Sequence, residues 1–336
     1  MNDETIISVK NLKTFFYTNQ RCNKAVNGVS FQIKKGTTLC IVGESGCGKS
    51  VTASSIMQLL PRLSRIESGE IVYNSPEGKI RIDRLKKNGK KMRALRGADI
   101  AMIFQDPMTA LNPVYTVGFQ IGENLIYHRS MKKRQARAQA VKTLKEMGIP
   151  LPEQRVNEYP HQYSGGMRQR AMIAMAMACR PKVLIADEPT TALDVTIQAQ
   201  IFELIEALKR VHNTAVLLIT HDMGVVTELA DDVAVMYMGN IVESGTVEDV
   251  LRTPAHPYTK ALLKSIPVIG RGKDQAIEPI RGSTPDPFNR PQGCQFHPRC
   301  DHMSDRCLTM PDDHNINTTH AVRCWHYEKV LQNGDT

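Results

Sequence analysis

Gly43 to Ser50, read as GESGCGKS, sets a lysine and a hydroxyl at the end of a glycine-rich loop. Triphosphate oxygens must be met by several backbone N–H groups at a helix N-terminus. Gly43, Gly46 and Gly48 let the backbone approach that closely and adopt positive φ. Glu44, Ser45, Cys47 and Val51 complete the candidate nucleotide-binding set. In such a loop Lys49 reaches the β- and γ-phosphates, and the Ser50 hydroxyl binds Mg²⁺. A glycine-rich turn without a ligand is the bland alternative. The flanks argue against it, because the apolar run Thr38–Val42 precedes the loop and helical spacing follows in SVTASSIMQLL.

Downstream, Val183–Ala186 is an apolar run ending in Asp187 and Glu188. A carboxylate at the end of a buried strand beside such a loop is what a magnesium partner requires, which suits Asp187. Glu188, one residue on, points elsewhere and is placed as general base for an attacking water. Alone, the two carboxylates could simply cap the turn at Pro189. Upstream, YSGGMRQR opens a helix at Ser164, Gly165 and Gly166, whose hydroxyl and N–H groups form a second anion site. A second phosphate-binding helix start makes sense if it serves a nucleotide held by another subunit.

These residues need rigid elements behind them. Residues 1 to about 85 show short period-2 runs such as Ile6–Val9 and Val29–Ile33, which read as strands. Residues 88 to about 180 are richer in Met, Ala, Lys and Arg, with helical spacing. Residues 183 to 250 return to buried strands, Val183–Ala186, Ala215–Ile219 and Val233–Tyr237, alternating with helices. That alternation predicts a parallel sheet flanked by helices. From Thr253 on, Pro and Gly accumulate, predicting a separate loop-rich appendage. The chain shows no internal repeat.

The order of these features closely resembles the ATP-binding cassette family of transporter ATPases over residues 6 to about 265. YSGGMRQR is similar to the family's signature, with Met167 where Gln is commoner. Gln105, in MIFQDPMTALNP, resembles the Q-loop residue that touches Mg²⁺ and the attacking water. Ala192-Leu193-Asp194 resembles the D-loop, His221 the switch histidine, and Phe16 the aromatic that stacks on adenine, with Phe15 and Tyr17 near it. The resemblance implies an α/β fold: a P-loop NTPase (RecA-like) core, an antiparallel β subdomain and an ABC helical subdomain over about 106–180. The nucleotide-binding domain then spans 1–250, and residues 251–336 form a small cysteine-containing extension. It also implies a head-to-tail dimer in which each ATP lies between one subunit's loop and the other's Ser164 segment.

SGGMRQRAMIAMAMACRPKVLIADEPTTALDVTIQAQI and RTPAHPYTKALLKSIP resemble the D-type ATPases of bacterial dipeptide and oligopeptide permeases. The resemblance implies ATP-driven peptide import, with an F-type ATPase as heterodimer partner, two membrane-spanning permease subunits, and an extracytoplasmic peptide-binding protein acting indirectly. Nickel or another small solute is the alternative cargo. A soluble ABC ATPase working on nucleic acid or ribosomes is the rival class; the long coiled-coil insertions or paired cassettes of that class are not visible here.

Of eight cysteines, Cys22, Cys40, Cys47 and Cys179 are scattered, while Cys294, Cys300, Cys307 and Cys324 crowd the tail. Structural disulfides are not expected in a cytoplasmic protein. The tail spacings of five, six and sixteen residues fit neither a tight zinc ribbon nor the bacterial ferredoxin run. The pattern resembles the cysteine cluster of peptide-permease ATPases, some of which hold [4Fe–4S]; zinc is the alternative for four thiolates. His297, His302 and His326 lie near.

The longest apolar run, Ala171–Cys179, is nine residues, about half what a bilayer span needs. MNDETIISVK lacks a basic segment followed by an apolar one, so no signal peptide is expected. The expected location is peripheral, on the cytoplasmic face of the cell membrane. Forty-three Lys and Arg against 34 Asp and Glu give a net charge of +9, much of it in Arg84–Arg96 and Arg129–Arg137. Solvated helix faces, anionic headgroups and nucleic acid all suit such clusters. The lack of interleaved aromatics counts against single-strand binding, and no nucleic-acid partner is expected.

Overall fold

The structure, a computed structural model, describes residues 4–18, 21–191, 193–265 and 280–332. The chain opens with the antiparallel pair β1 (Thr5–Thr18) and β2 (Arg21–Lys34). Then come β3 (Thr38–Val42), α1 (Lys49–Ile56), β4 (Ser64–Ser75) and β5 (Gly78–Arg81). The sheet β2-β1-β4-β5 is antiparallel throughout.

α2 (Lys90–Leu95) leads to β6 (Ile100–Ile103), after which helices dominate: α3 (Pro107–Ala110), α4 (Val117–Arg129), α5 (Lys133–Glu146), α6 (Pro152–Arg155) and α7 (Gly165–Met177). Strand and helix then alternate through β7 (Val183–Asp187), α8 (Val195–His212), β8 (Ala215–Thr220), α9 (Met223–Leu229), β9 (Asp232–Tyr237) and β10 (Asn240–Thr246). The chain continues through α10 (Val247–Arg252), α11 (Pro257–Lys264), β11 (His314–Asn315), β12 (Ala321–Val322) and α12 (Tyr327–Gln332).

The main sheet has the order β11-β12-β10-β9-β3-β8-β7-β6. Strands β9, β3, β8, β7 and β6 run parallel, while β10, β12 and β11 add an antiparallel edge. Period-2 alternation divides the parallel strands between two cores. Cys40, Val42, Leu184, Ala186, Val216 and Leu218 face the core shared with the helical region. Leu39, Ile41, Val183, Ile185, Leu217 and Ile219 face the core shared with the antiparallel sheet. The mixed α/β architecture agrees with the sequence reading.

Two differences have plain causes. Ile100–Ile103 is a fully buried edge strand inside a stretch read as helical. A four-residue apolar run carries too little periodicity to separate strand from helix. The residues after 250, read as a separate appendage, are joined to the main sheet: β12 pairs with β10, Glu243 opposite Val322 and Ser244 opposite Ala321. Among the described residues, no helix is long and apolar enough to cross a membrane.

Candidate nucleotide site

The loop from Gly43 to Gly48 joins β3 to α1, and its glycines are there for space. A Cβ on Gly48 (φ 109°) would lie 2.2 Å from the Ala25 carbonyl oxygen, and one on Gly43 would lie 2.1 Å from that of Met236. The loop is therefore wedged between β2 and β9. Lys49 turns back over it: its ammonium donates to the Gly43 carbonyl at 2.7 Å and to the Glu44 carbonyl at 3.2 Å. The Ser50 hydroxyl donates to Asp187 Oδ1 at 2.9 Å. Burial raises the Asp187 carboxyl above its usual range, against the pull of Ser50. A buried carboxylate beside an exposed hydroxyl suits a hard divalent cation, whose charge would offset the burial of Asp187.

Glu188 gathers the remaining groups. Its carboxylate accepts from Gln105 Nε2 at 2.9 Å and from the Thr191 hydroxyl at 3.2 Å. His221 Nδ1 lies 3.3 Å from Oε1, and the Lys49 ammonium 4.0 Å from the same oxygen. The Glu188 side chain is 15% exposed and that of His221 63%, so the carboxylate sits at the floor of an open site. Glu188 takes a left-handed φ of 45°, its N–H donating to the Ile219 carbonyl at 2.9 Å. A non-glycine residue held there costs on the order of 1 kcal/mol, and strain of that kind is common where a side chain is aimed for a task.

Four strand ends thus deliver the set: β3 the loop, β6 Gln105, β7 Asp187 and Glu188, and β8 His221. Their ends coincide because the strands run parallel and adjacent, the arrangement that places sites at the carboxyl edge of an α/β sheet.

Ser164 caps α7, its Oγ accepting from the Met167 N–H at 3.3 Å, and it is exposed with Gly165. Asp194 caps α8 by accepting from the Ile197 N–H at 2.9 Å. Among the described residues, neither is hydrogen-bonded to the Gly43–Ser50 loop or to Glu188. Ala192 lies outside the described residues. Phe16 is half-buried on β1, opposite Asn23 and Ser64. Of its neighbours, Phe15 lies under the Lys24 ammonium, and the Tyr17 hydroxyl donates to Glu67 at 2.7 Å.

In the tail, burial pushes the Cys300 thiol up to about 11 and Cys324 up to about 12. Cys294, Cys300 and Cys307 add to the rise at Cys324, so the four sulfurs stand in one another's field. Yet among the described residues no group of three or more His, Cys, Asp or Glu is arranged to hold a metal. The [4Fe–4S] expectation, and zinc with it, gains no support from this geometry. Sequence reasoning missed Thr191, and it missed Tyr258 and Arg299, which contact the loop at Glu44. Tyr258 and Arg299 lie 214 and 255 residues from Glu44, beyond any spacing signal, whereas Thr191 is only three residues from Glu188.

Fold and site together define an ATPase built on a phosphate-binding loop at the edge of a parallel sheet. The ABC transporter family matches residues 26–191, and the oligopeptide/dipeptide transporter C-terminal region matches residues 242–307. The dipeptide transport ATP-binding protein DppD of Bacillus subtilis is 50% identical over 324 residues, 96% of this chain and 95% of that protein. The oligopeptide transport ATP-binding protein AppD of the same organism is 49% identical over 334 residues, 97% of this chain and 98% of that protein. The dimeric post-hydrolysis structure of the ATP-binding cassette MJ0796, bound to ADP and Pi, superimposes with a TM-score of 0.63 at 27% identity, covering 72% of this chain and 98% of that one. The chain belongs to the ATP-binding subunits of ABC transporters and is an ABC ATPase.

Proposed function

We propose that the chain powers the import of dipeptides or oligopeptides by ATP-driven closure of two nucleotide-binding subunits. One observation carries this reading: the Glu188 constellation and the oligopeptide/dipeptide transporter C-terminal region occur on the same chain.

The residues act as follows. The Gly43–Ser50 loop, with Lys49, cradles the triphosphate. Ser50, Asp187 and Gln105 would hold Mg²⁺, which neutralises phosphate charge when bound. Glu188 takes a proton from the attacking water as its oxygen bonds to the γ-phosphorus and the bond to the bridging oxygen of ADP breaks. Gln105, Thr191 and His221 fix the carboxylate for that transfer. Ser164, Gly165, Gly166 and Asp194 stand at exposed helix starts and serve the nucleotide held by the other subunit, while Phe16 stacks on adenine. Hydrolysis removes the bridging phosphate contact and the dimer opens, an order–disorder switch.

The second ATPase is a distinct F-type subunit, and two membrane-spanning permease subunits receive the motion. An extracytoplasmic peptide-binding protein delivers cargo, and this subunit stays peripheral on the cytoplasmic face of the membrane. We further infer that Cys294, Cys300, Cys307 and Cys324 hold [4Fe–4S], with zinc the alternative; the crowding of four cysteines into the tail sequence supports it, while among the described residues they do not form a ligand set. Iron, sulfide and zinc analysis of anaerobically purified protein decides: about four irons per chain supports the cluster, and one zinc per chain removes it.

The transport reading is tested in proteoliposomes holding the permease pair, both ATPases and the binding protein. ATP-dependent uptake of a labelled dipeptide or oligopeptide, abolished by Glu188→Gln, is expected. Uptake of nickel ions with none of peptide would overturn the cargo assignment.

A further inference from the structure

The C-terminal segment holds the nucleotide loop at its first residue after Gly43. The Glu44 N–H donates to the Tyr258 hydroxyl at 2.8 Å. Arg299 makes a two-pronged ion pair with the Glu44 carboxylate, Nη1 to Oε2 at 2.6 Å and Nη2 to Oε1 at 3.0 Å. The Arg299 side chain is 4% exposed and that of Glu44 25%. Arg299 is itself fixed: its Nε donates to the Arg281 carbonyl at 2.8 Å, and its guanidinium lies 5.7 Å from the Phe296 ring centre. The rings of Tyr237, Tyr258 and Phe296 pack against one another with centroids 4.7 to 5.4 Å apart. The clamp therefore stands on a rigid aromatic base.

The peptide unit joining Gly43 to Glu44 is pinned on both sides. Its carbonyl accepts from Lys49 at 2.7 Å, and its N–H is committed to Tyr258. The orientation of that unit sets where the Lys49 ammonium rests. Glu44 also brings a negative charge to the mouth of a loop that must receive a triphosphate. In a half-buried setting such a charge acts over several ångströms with little screening. Arg299 pairs with that carboxylate and cancels its charge.

We propose that Arg299 and Tyr258 are positioning residues for ATP binding, through which the C-terminal segment sets the affinity of the Gly43–Ser50 loop. Neither touches the groups gathered at Glu188, so their effect falls on ATP affinity and not on the chemical step. This rests on reading Gly43–Ser50 as the ATP-binding loop.

The experiment measures ATP KM and kcat in the transporter assembled with its partners, and Kd of a fluorescent ATP analogue on the purified subunit. Arg299→Gln is expected to raise KM and Kd roughly tenfold, within the usual range of coupling between sites, with kcat nearly unchanged. Arg299→Lys keeps the charge but loses the second prong, and should recover part of the loss. In a Glu44→Gln background, Arg299→Gln should add little, because no charge is left to cancel. Tyr258→Phe should raise KM without altering kcat. Equal KM for Arg299→Gln and the parent, or additive losses in the double variant, would overturn the proposal. So would a loss confined to kcat. Thermal melts of each variant separate a folding defect from an affinity change. Lys49→Ala is the control for the underlying reading: undiminished ATP binding there would sink the loop assignment, while Arg299 results alone would leave it standing.

Discussion

Gln105 and Glu188, 83 residues apart, are joined by a 2.9 Å hydrogen bond from the amide Nε2 to the carboxylate Oε2. Gln105 lies two residues past the end of β6 and precedes the run of helices from α3 to α7, so its hydrogen bond links the candidate base to the start of that helical region. A second anchor lies opposite, where His221 at the end of β8 stands 3.3 Å from the other carboxylate oxygen. The carboxylate is thus held between the sheet and the helical region, a geometry in which conformational change and proton transfer share one side chain.

Replacing Glu188 by Gln keeps the shape and the hydrogen bond from Thr191 but removes the proton acceptor. The expected outcome is a fall in ATP turnover of about a hundredfold or more, with ATP still bound. Phosphate release and retained nucleotide, measured on the assembled transporter, check it. Turnover near that of the parent protein would remove Glu188 from the role of base.

Gly48 offers a backbone test of the loop. Its φ of 109° and the Ala25 carbonyl 2.2 Å from any added Cβ leave no room for a side chain. Gly48→Ala should distort the start of α1 and weaken ATP binding about tenfold or more, since a misplaced loop loses several N–H contacts together. Gly46, whose Cβ would meet nothing within 4 Å, is the comparison, with only its φ of 78° against the substitution. Nucleotide titrations of both variants should show the larger loss at Gly48.

These residues also show why some parts of the molecule were legible in the sequence. Strands such as Thr38–Val42 and Val183–Asp187 carry both a short apolar run and an informative end, so strand and site could be read together. Lys49, Ser50 and Asp187 followed from what a triphosphate and a divalent ion demand. Glu188, Gln105 and His221 converge as their strand ends suggest. The pairing of Arg299 with Glu44 was invisible, because one sequence carries no signal linking charges that far apart. In the basic clusters, Arg96 donates to the Met57 and Gln58 carbonyls and Arg129 to the Cys179 carbonyl, so part of that charge ties backbone together. Read as composition, such arginines look like a binding surface.

His256 gives the protein a predictable acid sensitivity. It caps α11, its Nδ1 accepting from the Tyr258 N–H at 3.0 Å, and burial holds its pKa down to about 3, against an ordinary value near 6.5. Below 6.5 the unfolded chain takes up a proton that the folded chain refuses. The stability associated with neutral His256 is therefore complete above about pH 6.5 and is lost progressively as pH falls toward 3. Asn is a good helix cap that does not titrate in this range. The difference in unfolding free energy between parent and His256→Asn should shrink or reverse by up to ~1.4 kcal/mol per pH unit on acidification. Denaturant melts between pH 7 and pH 4 check it, and a pH-independent difference would mean that His256 takes up its proton as readily in the fold as in the unfolded chain.

Glu243 is the fastening between the main sheet and the segment that follows it. Its fully buried carboxylate accepts from the Ala255 N–H at 2.7 Å, the His256 N–H at 2.9 Å, and lies 2.8 Å from His320 Nε2. One side chain on β10 thus satisfies the entry to α11 and the turn before β12. Glu243→Ala would leave these buried donors without an acceptor, at about 1–3 kcal/mol each. The expected loss is about 3 kcal/mol or more of stability, with faster proteolysis between β11 and α12 than in the rest of the chain. Glu243→Gln keeps the volume and one acceptor oxygen, but turns an N–H toward a donor, so it should fall between Ala and the parent. Because α11 carries Tyr258, the same variants should also weaken ATP binding, read by nucleotide titration at a temperature where both remain folded. Lost stability with undiminished ATP affinity would show that α11 keeps its place on the loop without Glu243, and that the aromatic packing of Tyr258 against Tyr237 and Phe296 suffices to hold it.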